Sequence, residues 1–255
     1  MCFTPTSRPP VAPIHGGALD GERIELVAGD GTHFSAYRAR PADPAGAGVV
    51  ILPDVRGLYS FYEELALRFA EAGVDAVAID YFGRTAGIAP RPRDFEHMAH
   101  VSRTTWAGLS ADIGAAVEHI RAGGLASAVS TVGFCFGGRM AFDSATLGLG
   151  LAGVVGFYGV PAGPGRNDAP APIDVVDRME CPVLGLFGGA DAGIPHAMVA
   201  DFEAALGRAK VEHRIVGYEG APHSFFDRGY EEHAAASEDA WRQVLRFIGG
   251  TEPAV

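Results

Sequence analysis

The segment Gly133-Phe134-Cys135-Phe136-Gly137-Gly138 sets a thiol between glycines two positions to either side. It ends an apolar run over 130–134 and opens a helical pattern, so Cys135 falls on a sharp strand-to-helix turn of the G-x-S-x-G type, with cysteine in the serine position. Such a turn brings backbone against backbone, and side chains two residues from the nucleophile would collide. A thiol at a helix N-terminus also feels the positive end of the helix dipole, which favours the reactive thiolate. The N–H of Phe136 is left over at the helix start and can stabilise a developing oxyanion. Taken alone, the hexapeptide also fits the lesser alternative of a glycine-rich turn around an inert buried cysteine.

Two further residues bear on that choice. Asp191, in Gly188-Gly189-Ala190-Asp191, follows the apolar run VLGLF; His223, in Gly220-Ala221-Pro222-His223-Ser224-Phe225, follows the last predicted strand. An aspartate in a glycine-rich turn is by itself a common turn former, and a lone loop histidine has no diagnostic value. Their order decides the matter. Nucleophile, acid and histidine, each after a later strand, is the order in which an α/β-hydrolase sheet carries an acyl-transfer triad.

The elements that must position these residues can be read from periodicity. Short apolar runs at 49–53, 75–80, 130–134, 153–158, 183–188 and 212–218 alternate with helical patterns around 61–72, 105–121, 137–146, 195–210 and 235–248. Strands apolar along their whole length, each followed by a helix, predict an α/β fold with a mostly parallel central sheet and helices on both faces. Upstream, 23–28 and 33–40 flank Asp30-Gly31, a dipeptide that favours a tight hairpin turn. Residues 1–20 lack periodicity and read as an extended arm, leaving 21–250 as a single domain without internal repeat or linker. The irregular stretch 85–103 has the length of a functional lid. In it, His97 and His100 lie three apart beside Asp94 and Glu96; with no third ligand in view they read as solvated lid residues, and Arg91 and Arg93 as solvent-facing. Phe82, Trp106 and Tyr158 lie near strand ends or the lid, where they can wall a pocket or simply pack the core.

Bulk properties exclude several classes. A net charge of −11 opposes nucleic acid and anionic membrane surfaces, and no run approaches the roughly 18 apolar residues of a membrane helix. The N-terminal MCFTPTSRPPVAPIHGG has no apolar leader core. The three cysteines, Cys2, Cys135 and Cys181, are scattered, with neither zinc spacing nor a disulfide framework. A cytoplasmic protein without metal or cofactor, monomeric or homodimeric, is expected.

From about 49 to 247 the chain resembles the dienelactone hydrolases (carboxymethylenebutenolidases), carried by the G-x-C-x-G-G turn, the GGADAGIP segment at Asp191 and GAPHSF at His223. The resemblance implies that Cys135 attacks a lactone or ester carbonyl, that Asp191 orients His223, and that His223 serves the water step. It also implies roles for the loop Leu52-Pro53-Asp54-Val55-Arg56-Gly57. There Asp54 stands where the family has a glutamate that helps deprotonate the thiol, and Val55 supplies an oxyanion N–H. Asp54 can equally turn the loop or pair with Arg56. The family's two substrate arginines map onto Arg84 and onto a position held here by Asp227, with Arg228 one residue further on. That departure predicts a preference for less anionic or larger esters and lactones. Related acyl chemistry (a thioesterase, or a polyketide-tailoring enzyme that forms or opens lactones) and a non-catalytic binder of small acids are the alternatives; turnover of a simple aryl ester separates enzyme from binder.

Overall fold

The computed structural model describes residues 3–4, 6–13, 20–92 and 94–250. The chain runs through β1 (Asp20–Val27), β2 (His33–Arg40), β3 (Ala47–Leu52), α1 (Ser60–Glu71), β4 (Val74–Ile79), α2 (Gly83–Ala86), α3 (His97–Val101) and α4 (Trp106–Ala122). It continues with β5 (Ala128–Phe134), α5 (Phe136–Ser144), β6 (Gly153–Phe157), β7 (Val183–Gly188), α6 (His196–Ala209), β8 (His213–Tyr218) and α7 (Ala234–Ile248). The strands form one sheet in the order β1-β2-β4-β3-β5-β6-β7-β8. The β1–β2 and β2–β4 pairs are antiparallel and all others parallel.

Continuous apolar strands feed two cores because successive side chains point to opposite faces. In β3, Val49 and Ile51 pack on one side with Phe61 and Leu65 of α1 and with Val244 and Leu245 of α7. Val50 and Leu52 pack on the other with Leu109, Ile113 and Val117 of α4. Every residue of β3, β4, β6 and β7 is buried, as the sequence pattern predicts for a sheet covered on both faces. The Asp30-Gly31 hairpin forms as expected: Gly31 takes φ +83° and the Asp30 carboxylate accepts the N–H of Thr32.

Register then brings the chemistry together. Leu52 pairs with Gly133, Phe134 with Phe157, Phe157 with Leu186, and Gly188 with Tyr218, so β3, β5, β6, β7 and β8 end along one edge. The loops leaving that edge carry Asp54, Cys135, Asp191 and His223, at the carboxyl ends where open parallel sheets collect ligands.

Two segments differ from expectation. Within 85–103 the chain forms the short helices α2 and α3, and Arg91 is not solvent-facing. Its guanidinium donates to the Asp80 carboxylate at 2.7 Å and to the carbonyls of Ala86 and Gly87, and lies over the Phe95 ring. Asp80 ends β4 inside the protein and needs a countercharge there. Arg93 lies outside the described residues. In the N-terminal segment, Phe3 stacks on Phe61 at 4.0 Å between ring centroids and is buried in the α1 core.

The turn at Cys135 sets the tightest steric constraint. A Cβ on Gly133 would stand 1.9 Å from the carbonyl oxygen of Gly137, backbone that cannot swing away. Gly133→Ala is therefore expected to lower stability at or above the top of the roughly 1–3 kcal/mol range of overpacked sites. Gly114→Ala, mid-α4 with its nearest neighbour at 3.8 Å, should instead be neutral or gain up to about 1 kcal/mol. Urea melts of the two variants check both; equal behaviour would refute the steric account.

Candidate active site

Cys135 caps the N-terminus of α5 with φ 55° and ψ −110°, a conformation rarely tolerated outside glycine. It is held by its own N–H, which donates to the Phe157 carbonyl, and by its carbonyl, which accepts from Arg139. Glycines close the turn from all sides: a Cβ on Gly137 would meet the Leu52 carbonyl oxygen at 2.0 Å, and one on Gly138 the Phe157 oxygen at 2.5 Å. Among the described residues four non-glycine residues take positive φ, and three of them (Cys135, Tyr158 and Ser224) lie in or beside the site; the fourth, Lys210, caps a helix.

A cavity of about 600 Å³ opens over this turn and is lined by Cys135, His223 and Asp191 together. His223 Nδ1–H donates to Asp191 Oδ2 at 2.6 Å, leaving Nε2 for chemistry, and the other carboxylate oxygen accepts the N–H of Gly193 at 2.9 Å. Burial works against the Asp191 charge, but the His223 contact and the Gly193 N–H outweigh it and hold the carboxyl below its usual range. The ring of Tyr158 packs 4.9 Å from that of His223 and fixes its plane from behind.

The loop after β3 abuts the elbow through the Gly137 contact. Asp54 is fully buried; its Oδ1 accepts the N–H of Arg56 at 2.8 Å and its Oδ2 the hydroxyl of Tyr59 at 3.2 Å. The Asp54 N–H donates to Tyr62 Oη, and the Tyr81 hydroxyl donates to the Pro53 carbonyl at 2.7 Å. Three tyrosines therefore fix this loop from within. Desolvation pushes the Asp54 carboxyl up to about 6 despite its hydrogen bonds. Among the described residues the N–H groups of Val55 and Phe136 donate to no other group.

The substrate-contact residues expected from sequence are placed elsewhere. Arg84 does not line the Cys135 cavity. It grips Asp112 of α4 through two nitrogens, at 2.8 and 3.2 Å, and Asp30 of the hairpin, and borders a separate cavity of about 310 Å³. Arg228 is half exposed and pairs with Glu64. Asp227 is buried and accepts the N–H groups of Gly229 and Arg8. Phe82 is fully buried against Phe95 and His100, and Tyr158 lies behind His223 rather than on the cavity wall. His100 stacks on Phe95 and bonds Thr85, and no cluster able to hold a metal exists among the described residues. Among them, too, no helix is long and apolar enough to cross a membrane.

Two charged cavity residues escape the sequence reading, Arg139 and Arg166. The first had a signal: four residues after Cys135 on one helix is the same face, one turn on. The second lies in the long glycine- and proline-rich stretch after β6, whose position at the carboxyl edge marks it for the site.

Comparison with known proteins agrees with this geometry. The model of the Dienelactone hydrolase family matches residues 34–251. A Salmonella typhimurium protein described as "Putative carboxymethylenebutenolidase" is 31% identical, covering 96% of this chain and 94% of its own; an Escherichia coli K12 protein of the same description is 28% identical over 94% and 93%. A Klebsiella pneumoniae crystal structure of a protein described as "Putative Dienelactone Hydrolase" superposes with a TM-score of 0.81 at 26% identity, covering 91% of this chain and 98% of that one. A Mycobacterium tuberculosis puromycin-hydrolyzing peptidase shares the fold, with a TM-score of 0.71 at 20% identity, over 92% of this chain and 40% of its own. With a sheet, an elbow and relatives that all agree, the chain belongs to the dienelactone hydrolase family, within the α/β-hydrolase fold.

Proposed function

We propose that this dienelactone hydrolase-like protein cleaves esters or lactones through a covalent acyl-enzyme on Cys135. The observation that carries the proposal is one cavity that gathers the strained, helix-capping Cys135 with a His223–Asp191 pair bonded at 2.6 Å. His223 Nε2 takes the thiol proton, and Asp191 stabilises the imidazolium. The thiolate sulfur attacks the carbonyl carbon, and the oxyanion settles against the N–H groups of Val55 and Phe136. As the tetrahedral species collapses, the C–O bond breaks and the leaving oxygen takes the proton from His223; in a lactone the alcohol stays tethered. Water then attacks the thioester, giving its proton to His223, and the acid departs as the sulfur is released.

Asp54 enters as a positioning group. Its carboxylate is hydrogen-bonded inside its own loop, so its contribution is to hold Val55 against the elbow rather than to carry the thiol proton.

Cys135 should be alkylated rapidly by iodoacetamide while Cys181, buried and with its thiol pushed up to about 11 by desolvation, is spared. His223→Ala removes the base for both acylation and water attack, so turnover should fall by roughly 10³-fold or more. Full activity after complete labelling of Cys135 would refute the mechanism.

The buried Asp54 carboxyl yields a pH prediction of defined sign. Its folded value near 6 exceeds the unfolded value of 3.8. The native state therefore binds this proton more tightly, and stability is lost as pH rises from about 4 through 6. Asp54→Asn cannot titrate, so its stability relative to the parent should rise across that window by at most about 3 kcal/mol. Urea melts at pH 4 and 7.5 test this; a difference that does not change with pH would show that the carboxyl is ionised at little cost.

A further inference from the structure

The stretch 160–171, VPAGPGRNDAPA, follows β6 and walls the Cys135 cavity through Val160, Pro164, Gly165 and Arg166. It has little of its own to hold it there. No large apolar side chain follows Val160, and only Pro161, Ala169 and Ala171 of the stretch are buried. Its ends are close: the Ile173 N–H donates to the Pro161 carbonyl at 2.9 Å. A loop with joined ends normally packs on its own side chains. Here Arg139 of α5, four residues beyond the nucleophile and 4% exposed, fills the interior instead. Its Nη1 donates to the Val160 carbonyl at 3.4 Å, and its Nη2 to those of Gly163 and Pro170 at 3.0 and 2.9 Å. The three acceptors come from the outgoing limb, the bend and the returning limb, so one guanidinium fork spans the loop. Gly165 lies against it, where a Cβ would stand 3.2 Å from Nε and 3.3 Å from Cζ. Burial works against the Arg139 charge, while Asp143 and Asp174 act in its favour. The Arg139 backbone N–H donates to the Cys135 carbonyl, so one residue joins the nucleophile turn to the loop wall. The rim is held separately: Asp168 accepts the N–H of Trp106 at the start of α4, and Asn167 donates to Thr104.

We infer that Arg139 is a positioning residue that pins the 160–171 loop to the nucleophile's helix, and that the loop so held is the wall on which the substrate's acyl chain packs. A rigid planar fork reaches three carbonyls at once, which a single ammonium cannot do. Without it those carbonyls lose a donor that water must replace, and the loop opens while the elbow, built from glycine contacts, stays closed. Val160 and Pro164 are the apolar members of the wall, so the chain they receive is aliphatic. The role of the wall rests on Cys135 being the nucleophile; the pin does not.

Arg166, exposed in the loop, makes its state readable, since trypsin cuts there only when the loop opens. Limited trypsinolysis with intact-mass detection follows the fragments 1–166 and 167–255. Arg139→Met removes the charged donors, so cleavage after Arg166 should quicken by about tenfold or more. Cleavage at other sites should not quicken with it, which separates a released loop from a loosened protein. Arg139→Lys should fall between the two. Gly165→Val leaves Arg139 in place and presses on its guanidinium, so it should release the loop even if Arg139→Met fails to fold. The second readout is the ratio of kcat/KM for 4-nitrophenyl hexanoate to that for 4-nitrophenyl acetate, whose acyl group is too short to reach the wall. In Arg139→Met the ratio should fall about tenfold, the scale of two methylenes returned to water, and Arg139→Lys should recover part of it. Cleavage at Arg166 that is unchanged in both Arg139→Met and Gly165→Val, or that quickens equally at every site, overturns the pin. A released loop with an unmoved ratio overturns the acyl wall. Should the wild type hydrolyse neither ester, the acyl-enzyme reading fails and the wall with it, while the tryptic pattern still decides the pin.

Discussion

Between Gly137 and the carbonyls of Leu52 and Pro53 there is no room for a methyl group: a Cβ would lie 2.0 and 2.3 Å from the two oxygens. That contact joins the start of α5 to the loop after β3, and it is the arrangement from which the rest of the site follows. It fixes where the thiol can stand relative to the N–H groups of Val55 and Phe136. It also obliges the chain to pass from β5 into α5 without a looser turn, and so leaves Cys135 in its strained conformation. The cost of that strain is met by the sheet: the β5–β6 register continues one residue past the strand end, through the Cys135 N–H to the Phe157 carbonyl. Strain of this kind survives only where neighbouring structure over-determines it.

Electrostatics at the site divides into two parts. Asp191 is buried, charged and paired, its charge directed at one histidine nitrogen. Asp54 and Asp143 are buried without such partners, and desolvation raises both. Opposite behaviour from chemically identical side chains follows from what each faces. Asp191 meets a group that can become a cation, Asp54 meets a neutral N–H and a hydroxyl, and Asp143 meets no hydrogen-bond donor among the described residues.

Much of this was legible in the sequence because it depends on local chemistry. Continuous apolar strands, the hairpin dipeptide at Asp30-Gly31 and the elbow glycines each follow from short-range sterics or periodicity. The order of Cys135, Asp191 and His223 along the strands was enough to predict that they share one sheet edge. What could not be read was where long side chains end. Arg84 follows its strand at the expected place, yet its reach carries it to Asp30 and Asp112, partners from a distant hairpin and helix. Arg91 reads as solvent-facing because nothing near it in sequence reveals that Asp80 is buried. Arg139 is the converse case: it lies on the helix that carries the nucleophile, but its partners come from a loop some thirty residues downstream, with the Pro170 carbonyl 31 positions away.

Asp227 illustrates why a departure from a family pattern need not act at the site where it is noticed. Its carboxylate accepts the N–H groups of Gly229 and Arg8, and the adjacent Arg228 N–H donates to the Arg8 carbonyl at 3.0 Å. The loop that carries His223 is thereby tied to the N-terminal segment. That segment in turn places Phe3 within 6.3 Å of Tyr158, the ring that supports His223 from behind. An arginine at 227 would put a cation where two N–H groups need an acceptor, and the tether would be lost. The residue at this position thus serves the histidine's surroundings, through the tie between its loop and the N-terminal segment. A change at 227 would therefore be felt first in the packing behind His223, not on the cavity wall, which Asp227 does not line.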